Sequence, residues 1–219
     1  MMRLGRLTEP YHTPFRVVHR TPVYVLRRYG EDGRVPEVKA PILLVPPLMV
    51  ASEIYDMSAD VSAAAALLRA GLDVWLVDFG APERIEGGMD RTLDDHVRGV
   101  CDAIERVRAA TGKDVHLSGY SQGGMFAYQA AAYRAGAGIA SVITFGSPVD
   151  IYRALPMVGP NVAAPIFSAA RAMFDLPIRK TKGLPGFLTS TGFKLLSVRK
   201  EAEQMVDFVR KLHDRKALE

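Results

Sequence analysis

Cysteine is almost missing from this chain: Cys101 is the only one in 219 residues. That excludes an internal disulfide framework and any metal site built from several thiolates. Long apolar runs are missing too. No uninterrupted apolar stretch reaches the roughly eighteen residues of a membrane-spanning helix. The opening Met1-Met2-Arg3-Leu4-Gly5-Arg6 lacks the apolar segment of a secretory signal, so the expected location is the cytoplasm, without a membrane span. A large excess of charge of either sign is missing as well, with 28 Lys and Arg against 24 Asp and Glu. The formal net charge is +4, and basic residues concentrate only at Arg179-Lys180-Thr181-Lys182 and Arg199-Lys200. Aromatic residues do not interleave with these runs, so nucleic acid is not an expected partner; solvated surface, or steering of an anionic substrate such as a phosphate-bearing carrier, remains open. There are no internal repeats and no low-complexity tract. What is present, 48% hydrophobic and 24% charged residues, suits one domain or one domain with a helical appendage.

The most informative stretch is Gly119-Tyr120-Ser121-Gln122-Gly123-Gly124. It follows the apolar run Val115 to Ser118 and opens onto a helical pattern from Met125, so it reads as strand, tight turn, helix with a serine at the apex. Reversing a strand into a helix within one residue strains that residue. It also brings the two elements so close that the positions two before and two after it must lack side chains. Gly119 and Gly123 meet that demand, with Gly124 beside them. Ser121 is therefore the candidate nucleophile, and the N–H of Gln122, at a helix N-terminus, is a candidate oxyanion donor. Chance is a poor explanation: 19 glycines and 10 serines in this length produce Gly-x-Ser-x-Gly about 0.07 times.

Around this motif, strand and helix patterns alternate. Thr21 to Arg28, Ile42 to Val45, Val74 to Asp78, Val115 to Ser118 and Ala140 to Phe145 read as strands. Ser58 to Ala70, Thr92 to Thr111 and Met125 to Ala135 read as helices, the second opened by a capping arrangement of Thr92 with Asp95 and closed by Gly112. Cys101 sits beside the apolar stripe Leu93, Val97, Val100, Ile104 and Val107 and reads as packing. Short apolar strands alternating with helices predict a mostly parallel sheet covered on both faces, with the active crevice beyond the C-terminal strand ends. Residues 1–150 form this expected core. Over 151–219 the pattern changes: prolines punctuate apolar pairs, and Val198, Ala202, Met205, Val209 and Leu212 mark an amphipathic helix, which together predict a helical cap.

An elbow preceded by βα units identifies the α/β-hydrolase fold. Within it, Val45-Pro46-Pro47-Leu48-Met49, Trp75-Leu76-Val77-Asp78-Phe79-Gly80, Thr92-Leu93-Asp94-Asp95-His96-Val97 and the Ser121 box resemble segments of polyhydroxyalkanoate synthases. The likeness is greatest to the synthase-like N-terminal region of large actinobacterial acyl-CoA synthetases and covers roughly residues 15 to 215. The resemblance implies acyl transfer on fatty or hydroxy-fatty acyl esters or thioesters. It puts a second oxyanion donor at Met49, past two prolines without N–H groups of their own. No metal or tightly held cofactor is expected; coenzyme A would enter as part of a thioester substrate. The polymer synthases carry cysteine where this chain has Ser121. An oxyester passes its acyl group to a hydroxyl less readily than a thioester, so hydrolysis or a single acyl transfer is favoured over polymerisation.

In hydrolases of this order the acid and the histidine follow the nucleophile on later strands. The sequence reaches only about four strands of the parallel set, so both partners are expected to be missing, as in a fragment or a shortened homologue. His12 and His19 precede the core, His116 lies inside the strand feeding the elbow, His96 borders a buried stripe, and His213 ends the last helix. Asp150, after the next strand, reads as a turn or cap residue and alternatively as the acid; Asp78 reads as structural. Further domains of the same polypeptide, or a homo-oligomer, are candidate partners. The rival reading is a noncatalytic acyl-binding or partner-docking module that uses an unfinished sheet edge.

Overall fold

The computed structural model describes residues 13–30, 40–48, 52–58, 61–150, 159, 161–166, 168, 169 and 172. The chain divides into two compact units, Met1–Ala154 and Leu155–Glu219. In the second, 161–166, 168, 169 and 172 are helical. The amphipathic pattern from Val198 to His213 and most of the expected cap lie outside the described residues.

The first unit is a mixed α/β sheet. Phe15–Arg20 (β1) and Val25–Tyr29 (β2) pair as an antiparallel hairpin. A single strand over Thr21 to Arg28 was the expectation, and the structure corrects it. Thr21 Oγ1 accepts the N–H groups of Val23 and Tyr24 at 3.1 and 3.0 Å, so the backbone here is satisfied within a local turn. The chain then runs through Pro41–Val45 (β3), Ala63–Arg69 (α1), Asp73–Asp78 (β4), Leu93–Thr111 (α2), Val115–Tyr120 (β5), Gln122–Tyr133 (α3) and Ile139–Phe145 (β6). Strand order is β1-β2-β4-β3-β5-β6. The β2–β4 pairing is antiparallel, whereas β3–β4, β3–β5 and β5–β6 are parallel. Four strands thus form the parallel set and the N-terminal hairpin extends it.

Helix boundaries follow from caps. α1 is shorter than the expected Ser58 to Ala70 because Ser62 is its N-cap. The Ser62 hydroxyl accepts the Ala65 N–H at 2.9 Å and donates to Asp56 at 2.6 Å, while Asp56 and Ser62 pair as an isolated antiparallel bridge. Asp56 also accepts the N–H and hydroxyl of Thr13, at 2.6 and 2.8 Å. α2 carries the expected capping box between Thr92 and Asp95, and Gly112 ends it at φ 69°. The backbone N–H and then the hydroxyl of Thr92 hold the Asp95 carboxyl below the usual carboxylate range. α3 begins at Gln122, not at Met125, so the serine directly abuts it.

Helices cover both sheet faces. On one, Val100, Ile104 and Val107 of α2 and Phe126, Ala127 and Ala130 of α3 pack on Leu43, Val45, Trp75, Val77, Val115 and Leu117. On the other, Ala64 and Leu67 of α1 join Tyr29, Ile42, Leu44, Val74 and Leu76. β3 and β4 are therefore apolar on both sides, as parallel strands between helices must be, whereas β5 carries His116 and Ser118 on the α1 side and β6 is mostly exposed.

Candidate active site

The C-terminal ends of β3 and β5 lie side by side, with Val45 opposite Gly119 in register. From these ends emerge the two loops that the sequence singled out. Ser121 has φ 52° and ψ −119°, a conformation that costs a non-glycine residue about 1 to 3 kcal/mol. The neighbours enforce it. Ser121 N–H still donates to Phe145 O of β6 at 2.7 Å, and Ser121 O already accepts from Gly124 N–H at 3.0 Å. One residue therefore ends the sheet ladder and opens the helix.

The three glycines are required by contact. A Cβ on Gly119 would lie 2.4 Å from the Gly124 Cα, one on Gly123 would lie 1.9 Å from the Val45 O, and one on Gly124 would lie 1.9 Å from the Ser147 Oγ. At the first two positions the obstacle is backbone, which cannot step aside as a flexible side chain can. Ser121 is half-buried at the head of α3. The first N–H groups of a helix lack intrahelical acceptors and form its positive end. Among the described residues no oxygen accepts the Gln122 N–H.

The loop after β3 is described as far as Leu48, so Met49 lies outside the described residues. What precedes it is informative: Pro46 and Pro47 have no N–H, and the Leu48 N–H donates to Oε1 of Gln122 at 3.1 Å. Sequence reasoning used only the backbone of Gln122 and missed this side-chain bond. Its one available signal was that Leu48 is the first N–H in the loop. Tyr55 was missed as well. Its phenol lies between two carbonyls, Val45 O at 3.1 Å and Ser118 O at 3.2 Å, and so ties the strand before the loop to the strand before the elbow. Burial pushes the Tyr55 phenol well above its ordinary pKa, which keeps it a donor.

Three of the five histidines are described, and none is bonded to Ser121. His19 is on β1, separated from β5 by three strands of the sheet. His116 points to the α1 side of β5 and contacts Ser141 Oγ through Nδ1 at 2.7 Å. His96 is buried. Its Nδ1–H donates to Thr92 O at 2.6 Å, and its ring stacks on Phe126 at 5.4 Å and meets Phe79 edge-on at 5.1 Å. Asp150 follows β6. Asp78, at the end of β4, pairs with Arg27 and accepts the Gly80 N–H at 3.0 Å.

A family model described as "Alpha/beta hydrolase family" matches residues 42–214. The chain belongs to this family. Among curated proteins it is similar to the poly(3-hydroxyalkanoate) polymerase subunit PhaC of Allochromatium vinosum, 33% identical over 63% of this chain and 39% of that protein. The polymerase subunit PhaC of Haloferax mediterranei is 35% identical over 55% of this chain and 24% of that protein. The family member is thus polyhydroxyalkanoate-synthase-like, and the matched region spans well under half of either relative. Among solved structures, the mature form of Bacillus licheniformis lipase BlEst2 has a TM-score of 0.45 and 17% identity, covering 72% of this chain and 67% of that one. No helix among the described residues is long and apolar enough to cross a membrane.

Proposed function

We propose that Ser121 is the nucleophile of an acyl-transfer reaction on fatty or hydroxy-fatty acyl esters or thioesters. The observation that carries this reading is the φ of 52° at Ser121, held by glycines that no other residue could replace without collision. Strain kept in place by its surroundings, on a hydroxyl at the head of a helix, is how a nucleophile is presented to a substrate carbonyl. In the reaction the Ser121 Oγ bonds to the acyl carbon and its proton passes to a base. The carbonyl oxygen takes up negative charge, which the Gln122 N–H and a donor from the loop after β3 stabilise. The alcohol or thiol then leaves with a proton, and water or an acceptor hydroxyl releases the acyl group.

Relatives that are polymerase subunits support an acyl substrate, with coenzyme A entering as the carrier part of a thioester. Serine in place of the synthases' cysteine favours hydrolysis or a single transfer over repeated chain extension. Labelling with a fluorophosphonate, in which an Oγ–P bond forms as fluoride and the serine proton leave, tests the reading by mass spectrometry. Modification of Ser121, absent in Ser121→Ala, is the expected result; release of p-nitrophenol from an acyl ester is expected to be slow, because none of the described histidines is bonded to Ser121, and to vanish in Ser121→Ala. An unlabelled Ser121 would instead favour the noncatalytic module.

A further inference from the structure

We infer that the Gln122 side chain is a positioning residue: its carboxamide oxygen fixes the loop after β3, at Leu48, against the head of α3 where Ser121 and the Gln122 N–H stand. The inference rests on the Ser121 reading and names a residue through which that site is regulated in geometry.

Two contacts carry it. First, Leu48 N–H donates to Gln122 Oε1 at 3.1 Å in a half-buried setting. Only the oxygen of a carboxamide can accept, so the bond also orients the amide group. Second, the same stretch of loop lies directly on the neighbouring residue: a Cβ on Gly123 would sit 1.9 Å from Val45 O and 2.8 Å from the Pro46 carbonyl carbon. Gly123 sets how near the loop comes, and Gln122 sets where along the helix it stops. Among the described residues of the loop between β3 and Met49, only Leu48 has an N–H to give. Pro46 and Pro47 offer no N–H, so Leu48 supplies the first one after β3, and Gln122 takes it. Leu48 also packs against the core on the α2 and α3 side, which leaves its backbone as the adjustable part. One residue would serve twice, by its backbone N–H as a donor and by its side chain as the clamp on the loop at Leu48.

The geometric demand is steep, because a displacement of about 1 Å in a preorganised site costs on the order of 100-fold in rate. Gln122→Met keeps the length of the side chain and the backbone N–H but removes the acceptor. Gln122→Glu restores an acceptor oxygen. The experiment measures, in the full chain, the rate of fluorophosphonate labelling at Ser121, amide hydrogen exchange at Leu48, and the melting temperature. Expected for Gln122→Met are labelling slower by about 10-fold or more, faster exchange at Leu48, and little change in melting temperature, with slow exchange recovered in Gln122→Glu. Equal labelling rates in the parent and Gln122→Met overturn the positioning role and leave Ser121 as nucleophile. Unchanged exchange at Leu48 in Gln122→Met overturns it as well. A parent chain in which Ser121 takes no label overturns the nucleophile reading itself, and any part for Gln122 in the chemistry falls with it.

Discussion

At the scale of single residues, the glycines around Ser121 were legible because their reason is local: a strand and a helix that nearly touch leave no room for a Cβ, whatever the rest of the fold does. The structure assigns each its obstacle, and the obstacles differ. Gly123→Ala would push a methyl group into the Val45 carbonyl, 1.9 Å away, so the loop after β3 must lift. We expect a loss of about 1 to 3 kcal/mol, which for a unit of this size lowers Tm by roughly 2 to 4 °C per kcal/mol; an unshifted melting curve would mean that the close approach is not there. Gly124→Ala meets the Ser147 side chain, whose hydroxyl can rotate but whose Cβ would still lie 2.8 Å away, with the Thr144 Cβ at 3.1 Å, so it too should destabilise. Asp95 gives a second residue-level prediction, with a sign. Its folded pKa is depressed by bonds from Thr92, so its contribution is present above the unfolded carboxylate pKa and is lost as pH falls through the folded value. Asp95→Asn should therefore be less stable than the parent near pH 7, and the gap should narrow as pH falls below about 4. A gap that stays constant down to pH 2 would place the effect elsewhere. Leu48 and Gln122, by contrast, are 74 residues apart in the chain. Nothing in either local sequence signals their bond.

At the scale of elements, the caps explain both what the sequence disclosed and what it hid. The Thr92–Asp95 box and Gly112 fixed the ends of α2, because all its partners lie within a few residues. α1 was read too long because its start is set by Asp56, Ser62 and Thr13, and the bond from Thr13 arrives across 43 residues. The hairpin was missed for a related reason: Thr21 makes a turn with its side chain, inside a stretch whose valines and tyrosine look like continuous strand. Tyr55 is the element-scale counterpart of Gln122, since it joins the ends of β3 and β5 below the site. Tyr55→Phe keeps the ring and removes the hydroxyl, leaving the carbonyls of Val45 and Ser118 without that donor. A loss of about 1 to 3 kcal/mol is expected, read as a lower urea midpoint at unchanged slope. No shift in midpoint would show that each carbonyl is satisfied without Tyr55.

At the scale of the whole molecule, the sheet decides which histidines can serve Ser121. A parallel sheet presents its chemistry at the C-terminal strand ends, so a base must come from a loop at that end or from chain packed over it. The three described histidines are elsewhere or otherwise engaged: His19 on the antiparallel hairpin, His116 turned to the α1 face against Ser141, His96 held in the layer between α2 and α3 by Thr92, Phe79 and Phe126. That elimination was only partly available beforehand, because periodicity gives a side chain's face but not its partner. It predicts that fluorophosphonate labelling of Ser121 proceeds at the parent rate in His19→Gln and His116→Gln. His96→Gln should separate stability from chemistry. Loss of the stacked ring should lower the melting temperature, while labelling measured well below the transition should fall by less than about 10-fold, against the roughly million-fold cost of removing the base from an intact triad. If any one of the three replacements abolishes labelling in a chain that remains folded, the base lies within the described sheet and its helices. The activating partner would then have to be sought in a rearrangement of that residue and not in the histidines outside the described region, His12 and His213.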